Sequence, residues 1–293
     1  MLNQNYMTKL LYFFQSIIII FLFTLFKLIG FKYSSILSGW LCRIVGPIFR
    51  SKSVINSNIN RALPELTIKE KKKLVKKMWT NYGKILSDYA FLKNFRLTQS
   101  FKKRITIINS ELLEKIKKEN EPVIFISGHF NNFELMAMLI EKSGINLAAV
   151  YRPLNNPFLN PIMEKIRKKY LCKNQVKKGI AGTKELLKHF KRKDSIALMI
   201  DQRVSEGVKS NFFGEKASTT TIPAQFAKKF NAKIVPVYIE RLDNDDFKIE
   251  FYQPILFSKK DEIDHITLKL NSLLETMILK NPEQWIWTHN RWK

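Results

Sequence analysis

The chain has 293 residues, room for one α/β domain with an appendage. Lys and Arg number 50 against 25 Asp and Glu, and the resulting formal net charge of +25 points to a polyanionic partner: nucleic acid, an anionic membrane surface or an acidic carrier protein. Part of that excess is compositional, in Lys runs on solvated helix faces, while the two cysteines, Cys42 and Cys172, exclude a disulfide framework and no Cys/His spacing fits a zinc site.

From Leu10 to Phe26 the residues are apolar except Gln15, Ser16 and Thr24, and Lys9 and Lys27 flank the run. A helix of that length spans roughly 25 Å, and extension to Ile29 with Lys27 snorkelling brings it near a ~30 Å hydrocarbon core. No small-residue cleavage site follows, which speaks against a signal peptide; a buried core helix is the competing reading, and an uncleaved anchor is the expectation. The segment Ile36 to Phe49 adds Trp40, Leu41, Ile44, Val45 and Ile48 beside Arg43, a face suited to the membrane interface. Residues 1–50 are thus expected to anchor the protein, leaving 51–293 as a catalytic domain that the following basic residues keep in the cytoplasm.

Residues 51–104 read as helical and basic, with a break at Ala62-Leu63-Pro64-Glu65-Leu66-Thr67, where Thr67 and Glu70 form a capping box. From about Ile105 strands alternate with helices. Short apolar runs predict strands at Val123–Ser127, Leu147–Tyr151, Ser195–Ile200 and Ile234–Ile239. Helices are predicted at Phe133–Lys142, Asn160–Lys169, Gly182–Lys193, Ile222–Phe230 and Asp264–Leu279. Strands apolar throughout are buried on both faces, so the fold class is α/β with a mostly parallel central sheet flanked by helices.

Ligands in such sheets bind beyond the carboxyl ends of the strands. Those ends deliver Gly128-His129, Arg152, Asp201-Gln202-Arg203 and Glu240-Arg241. Gly128 permits a tight turn into the next helix, which Asn131 or Asn132 can cap, and Glu134 in its first turn is expected to reach back and orient His129 as a general base. Backbone N–H groups near Asn131–Phe133 are expected to hold an oxyanion. Spacing alone is weak support, because His189 and Asp194 share it; lying late in a basic helix with no strand before it, that pair reads as coincidence on a solvated face. The sequence has no Gly-x-Ser-x-Gly elbow, dinucleotide-binding glycine motif, P-loop or His-Glu-x-x-His, and Cys172 has no adjacent base.

Several blocks stand in order along the chain: Asn60-Arg61-Ala62-Leu63-Pro64-Glu65-Leu66, His129-Phe130-Asn131-Asn132-Phe133-Glu134, Tyr151-Arg152-Pro153 with Asn156-Pro157, Asp201-Gln202, Phe212-Phe213-Gly214, Thr219-Thr220-Thr221 and the terminal Pro282–Trp292. Together they resemble the bacterial lipid A late acyltransferases of the lauroyl/myristoyl type, within the wider glycerolipid acyltransferase-like superfamily. The second block matches the family's His-x4-Asp/Glu signature, with Asn131 where Gly is usual and Phe133 where Trp is usual. The resemblance implies acyl transfer from an acyl carrier protein thioester to a hydroxyl of a lipid A precursor, at the cytoplasmic face of the inner membrane. It implies His129 and Glu134 as catalytic residues and substrate contacts from Asn132, Arg152, Asp201, Phe213, Gly214 and Thr220; Arg152 has a structural ion pair with Asp201 as its alternative. No metal or cofactor is expected, the acyl thioester being a substrate. The expected partners are the carrier protein, the membrane glycolipid acceptor and the anionic inner-membrane surface, with no nucleic acid. Two rival readings are a lysophospholipid or other glycolipid acyltransferase using acyl-CoA, and a non-catalytic basic protein that binds membranes or nucleic acid.

Overall fold

The computed structural model describes residues 2–293, and side chains from Tyr6 onward. Helix α1 runs Leu2–Phe49 and is bent at Gly30, whose φ of 80° and ψ of 167° leave helical space; only glycine adopts such a conformation without strain. The half before the bend spans about 42 Å at 1.5 Å per residue. Its apolar residues are mostly exposed, with only 11% of the most hydropathic window buried, which removes the core-helix reading. It is a helix long and apolar enough to cross a membrane.

After the bend α1 packs on α3, Ile68–Leu97, with α2, Lys52–Ala62, between them in sequence. The contact is a seam of small residues. A Cβ on Gly83 would lie 1.9 Å from the Ser38 carbonyl oxygen, and one on Gly46 would lie 2.3 Å from the Trp79 ring. The opposite face keeps Ile36, Trp40, Ile44 and Ile48 exposed, as an interfacial helix requires. Gly83→Ala should therefore push two backbones apart and cost about 1–3 kcal/mol, read as a lowered thermal midpoint in detergent. The break before α3 is as expected: Thr67 accepts from the Glu70 N–H, and the Glu70 carboxylate accepts from the Thr67 N–H at 2.8 Å.

Past α4 (Gln99–Lys102) the chain forms an α/β domain. In order it comprises β1 (Ile105–Ile108), α5 (Glu111–Glu119), β2 (Ile124–Ser127), α6 (Glu134–Lys142), β3 (Leu147–Tyr151), α7 (Leu159–Tyr170), β4 (Asn174–Lys177), α8 (Ile180–Lys191) and β5 (Ser195–Met199). A hairpin β6–β7 (Val208–Phe212, Glu215–Thr219), then α9 (Ile222–Phe230), β8 (Ile234–Arg241), β9 (Phe247–Phe251) and α10 (Ile263–Lys280) complete it. The seven-stranded sheet runs β1-β9-β8-β2-β5-β3-β4, parallel throughout except between β8 and β9. Central β2 is buried along its whole length between β5 and β8, so its carboxyl end opens where the strand order switches sides.

Candidate active site

Sheet register builds the site. In the parallel pair β2–β5, Ser127 lies opposite Met199, so two residues further on His129 and Asp201 stand side by side. His129 Nδ1 is 2.7 Å from Asp201 Oδ1, and the His129 backbone N–H donates to Asp201 Oδ2 at 2.8 Å. Trp285 Nε1 donates to the same Oδ2 at 2.8 Å. Burial alone would raise the Asp201 carboxyl; the His129 charge and these donors outweigh it and hold the group at about 2. An ionised Asp201 keeps the proton on His129 Nδ1, leaving the Nε2 lone pair on the side of Gln202, whose Nε2 is 3.4 Å away. Phe133 packs edge-on against the imidazole at 4.6 Å, filling the position where the family usually carries Trp.

Glu134 does not orient His129. Its Oε1 accepts from Tyr89 Oη at 2.6 Å and from Arg167 Nε and Nη2 at 2.9 and 2.8 Å. Those donors stand on α3 and α7, and a buried guanidinium offers a carboxylate a stronger partner than a neutral imidazole. The orienting acid is Asp201, for which the family resemblance implied a substrate contact instead. Arg167 Nη1 is buried with no hydrogen-bond partner among the described residues. His129, Glu134 and Arg167 all line one cavity of about 210 Å³, with Met136, Ala149 and Leu198 among its apolar wall.

The other expected contacts divide. Arg152 and Thr220 line the cavity, Arg152 exposed at its mouth and Thr220 also accepting the Ile222 N–H at the start of α9. The alternative ion pair of Arg152 with Asp201 is not formed, since His129 and Trp285 occupy that carboxylate. Lys178 lines the cavity too; burial and the Arg152 charge lower its pKa. Asn132 is buried outside the lining and donates to Asp88 Oδ2 at 3.1 Å. Phe213 and Gly214 are the β6–β7 turn, with φ of 51° and 76° as a two-residue hairpin loop demands, and they also lie outside the lining.

The backbone groups proposed for an oxyanion are already spent. The N–H of Asn131 goes to the Gln284 carbonyl, that of Asn132 to Asn131 Oδ1 and that of Phe133 to the Asn131 carbonyl. Neither Asn131 nor Asn132 caps α6, whose N-cap is Phe133 without a side-chain bond. Asn131 has φ +43°, which explains why Gly is usual there; Asn adopts that region more readily than most residues. Its side chain adds donors and acceptors of its own, meeting Asn81 and Gln284 on one side and Arg241 Nε on the other. Arg241 is in turn paired with Asp88, whose carboxyl burial raises to about 6 against the pull of that guanidinium.

The terminal segment belts the site. Gln284 bonds both backbone polar groups of Arg241, Asn58 of α2 donates to the Trp287 and His289 carbonyls, and Arg291 donates to the Ser218 carbonyl and Thr219 Oγ1. His289 Nε2 accepts the Arg203 N–H, and burial holds this imidazole at about 4, hence neutral. His189 and Asp194 are hydrogen-bonded at 2.8 Å and largely buried, a clasp at the end of α8 rather than coincidence on a solvated face, and outside the cavity lining. Cys172 is buried and its thiol is pushed up to about 12, leaving it without nucleophilic character.

A family model described as bacterial lipid A biosynthesis acyltransferase matches residues 3–293. The chain belongs to that acyltransferase family. Similar proteins include the lipid A biosynthesis lauroyltransferase of Escherichia coli K12, 23% identical over 83% of this chain and 79% of the relative. The lipid A biosynthesis acyltransferase 2 of Shigella flexneri is 23% identical over 78% of this chain and 74% of its own length. The E. coli K12 myristoyltransferase of the same pathway is 22% identical over 83% and 75%.

The depressed Asp201 carboxyl gives this acyltransferase fold a pH signature. A folded value of about 2 below an ordinary one near 4 adds stability that is complete above pH ~4 and is lost as pH falls toward 2, on the order of 2–3 kcal/mol. The gap in thermal midpoint between the native protein and Asp201→Asn is expected to be widest near pH 6 and to narrow at pH 3.

Proposed function

We propose that the protein transfers a fatty acyl group from an acyl carrier protein thioester to a hydroxyl of a lipid A precursor, at the cytoplasmic face of the inner membrane. The observation that carries this reading is His129, held through Nδ1 by ionised Asp201 while it lines a largely apolar cavity with a cationic mouth. His129 Nε2 takes the proton of the acceptor hydroxyl as its oxygen attacks the thioester carbonyl. The tetrahedral intermediate carries negative charge on oxygen, and the guanidinium of Arg167, which lines the same cavity as His129, is the cation that stabilises it. Collapse breaks the carbon–sulfur bond, and the thiolate leaves with the proton from His129. No acyl-enzyme forms. Asp201 and Glu134 are positioning residues, the first for the base and the second for Arg167. The cationic mouth, Arg152 and Lys178, suits a phosphorylated acceptor or an acidic carrier.

The test is transfer in detergent by the purified protein, with acyl carrier thioester and acyl-CoA offered separately to a lipid A precursor. His129→Ala should abolish transfer and His189→Ala should leave it near native. Equal activity in the two variants, or an acyl group trapped on the protein, overturns the mechanism; preference for acyl-CoA overturns the donor assignment.

A further inference from the structure

Helix α1 touches the segment that follows β3, a few residues past Arg152 of the cavity lining. Ser16 Oγ donates to Asn156 Oδ1 at 3.1 Å, Asn156 Nδ2 donates to the Tyr12 carbonyl at 2.8 Å, and the Phe13 ring meets Phe158 edge-on at 5.6 Å. Asn156 is a built joint. It is 7% exposed, and its Oδ1 also accepts the N–H groups of Phe158 and Leu159, so the same side chain starts α7 and holds α1. Around the joint three large apolar side chains face outward: Leu154, Phe158 and Ile162 are 39, 43 and 40% exposed. Further along α7, exposed Lys165 and Lys169 follow Ile162 at i+3 and i+7 on the same face, about 5–10 Å on.

We propose that Leu154, Phe158 and Ile162 are immersed in the bilayer beside α1, with Lys165 and Lys169 resting on anionic phospholipid headgroups. The geometry is transitive: a ring packed on Phe13 shares whatever environment surrounds Phe13, and α1 around it is apolar on its exposed sides, with Leu10, Leu11, Phe14, Ile17 and Ile18 uncovered. An apolar tip followed along one helix face by ammonium groups matches the layering of hydrocarbon beneath headgroups. A protein partner would not need that order. Arg152 stands two residues before Leu154, at most about 7 Å of chain, so the cavity mouth opens at the membrane surface. Resting on the acyl-transfer reading, this means that a lipid acceptor reaches His129 laterally, its chains still in the bilayer.

The test reads depth rather than activity. Full-length protein carrying Cys42→Ser, with Cys172 buried, receives a single environment-sensitive fluorophore through Phe158→Cys or, to spare the Phe13 contact, Ile162→Cys. It is then reconstituted in vesicles of phosphatidylcholine and phosphatidylglycerol. Blue-shifted emission, quenched several-fold by lipids bearing a shallow nitroxide, is expected at both sites and not for Lys118→Cys, near the edge where β2 begins. Water-like, unquenched emission at both sites overturns the proposal. So does a blue shift that grows with protein concentration in lipid-free micelles, which would mean a second copy covers the patch. Immersion without acyl transfer would instead count against the proposed function and leave the surface standing.

Discussion

Asp201→Asn is expected to lower kcat by about 10⁴-fold, as far as loss of an orienting carboxylate lowers a histidine-based acyl transfer elsewhere. The reason lies in which atoms the carboxylate already holds. Oδ2 accepts from both the His129 backbone N–H and Trp285 Nε1, so an amide at this position must turn its oxygen toward those two donors. Its NH2 then faces Nδ1, where Oδ1 now sits at 2.7 Å. The imidazole is forced into the tautomer with its proton on Nε2, and the base has no lone pair for the acceptor. Removing His129 itself should cost no less, and Asp201→Asn/His129→Ala should be no worse than either alone. Near-native turnover in Asp201→Asn would show that the imidazole takes its orientation from another group.

That assignment could not be read from spacing, and the reason is instructive. The apolar runs placed β3 and α9 at their observed ends, and the capping box at Thr67 marked the start of α3. These are local signals. Polar β4, Asn-Gln-Val-Lys, has no apolar run to announce it, and β9, Phe-Lys-Ile-Glu-Phe, alternates as its antiparallel pairing with β8 allows. The site depends on longer reach. His129 and Asp201 are 72 residues apart and meet because β2 and β5 are neighbours in a given register, although five further strands and helices intervene in the chain. The His-x4-acid spacing says only that two side chains can meet: His189 and Asp194 share it and are bonded, while His129 and Glu134 share it and take different partners. Arg167 and Tyr89 decided that outcome, from helices whose packing no local pattern encodes.

The ion pair of Glu134 with Arg167 allows stability and chemistry to be separated. Both side chains are about nine-tenths buried, so Glu134→Leu strands a guanidinium away from water and should cost about 3–5 kcal/mol. Arg167→Met leaves Glu134 with the Tyr89 hydroxyl, a neutral donor, and should cost a similar amount. The double variant removes both charges and puts comparable volume in their place, so its thermal midpoint should return most of the way to the native value. Activity should not return with it. If Arg167 stabilises the oxyanion, every variant lacking it stays about 10²–10³-fold down in kcat, the usual size of one lost donor. Recovery of turnover alongside the thermal midpoint in the double variant would reduce the pair to a structural brace and transfer the oxyanion to another group on the cavity wall, with Gln202, 3.4 Å from His129 Nε2, the next donor to remove.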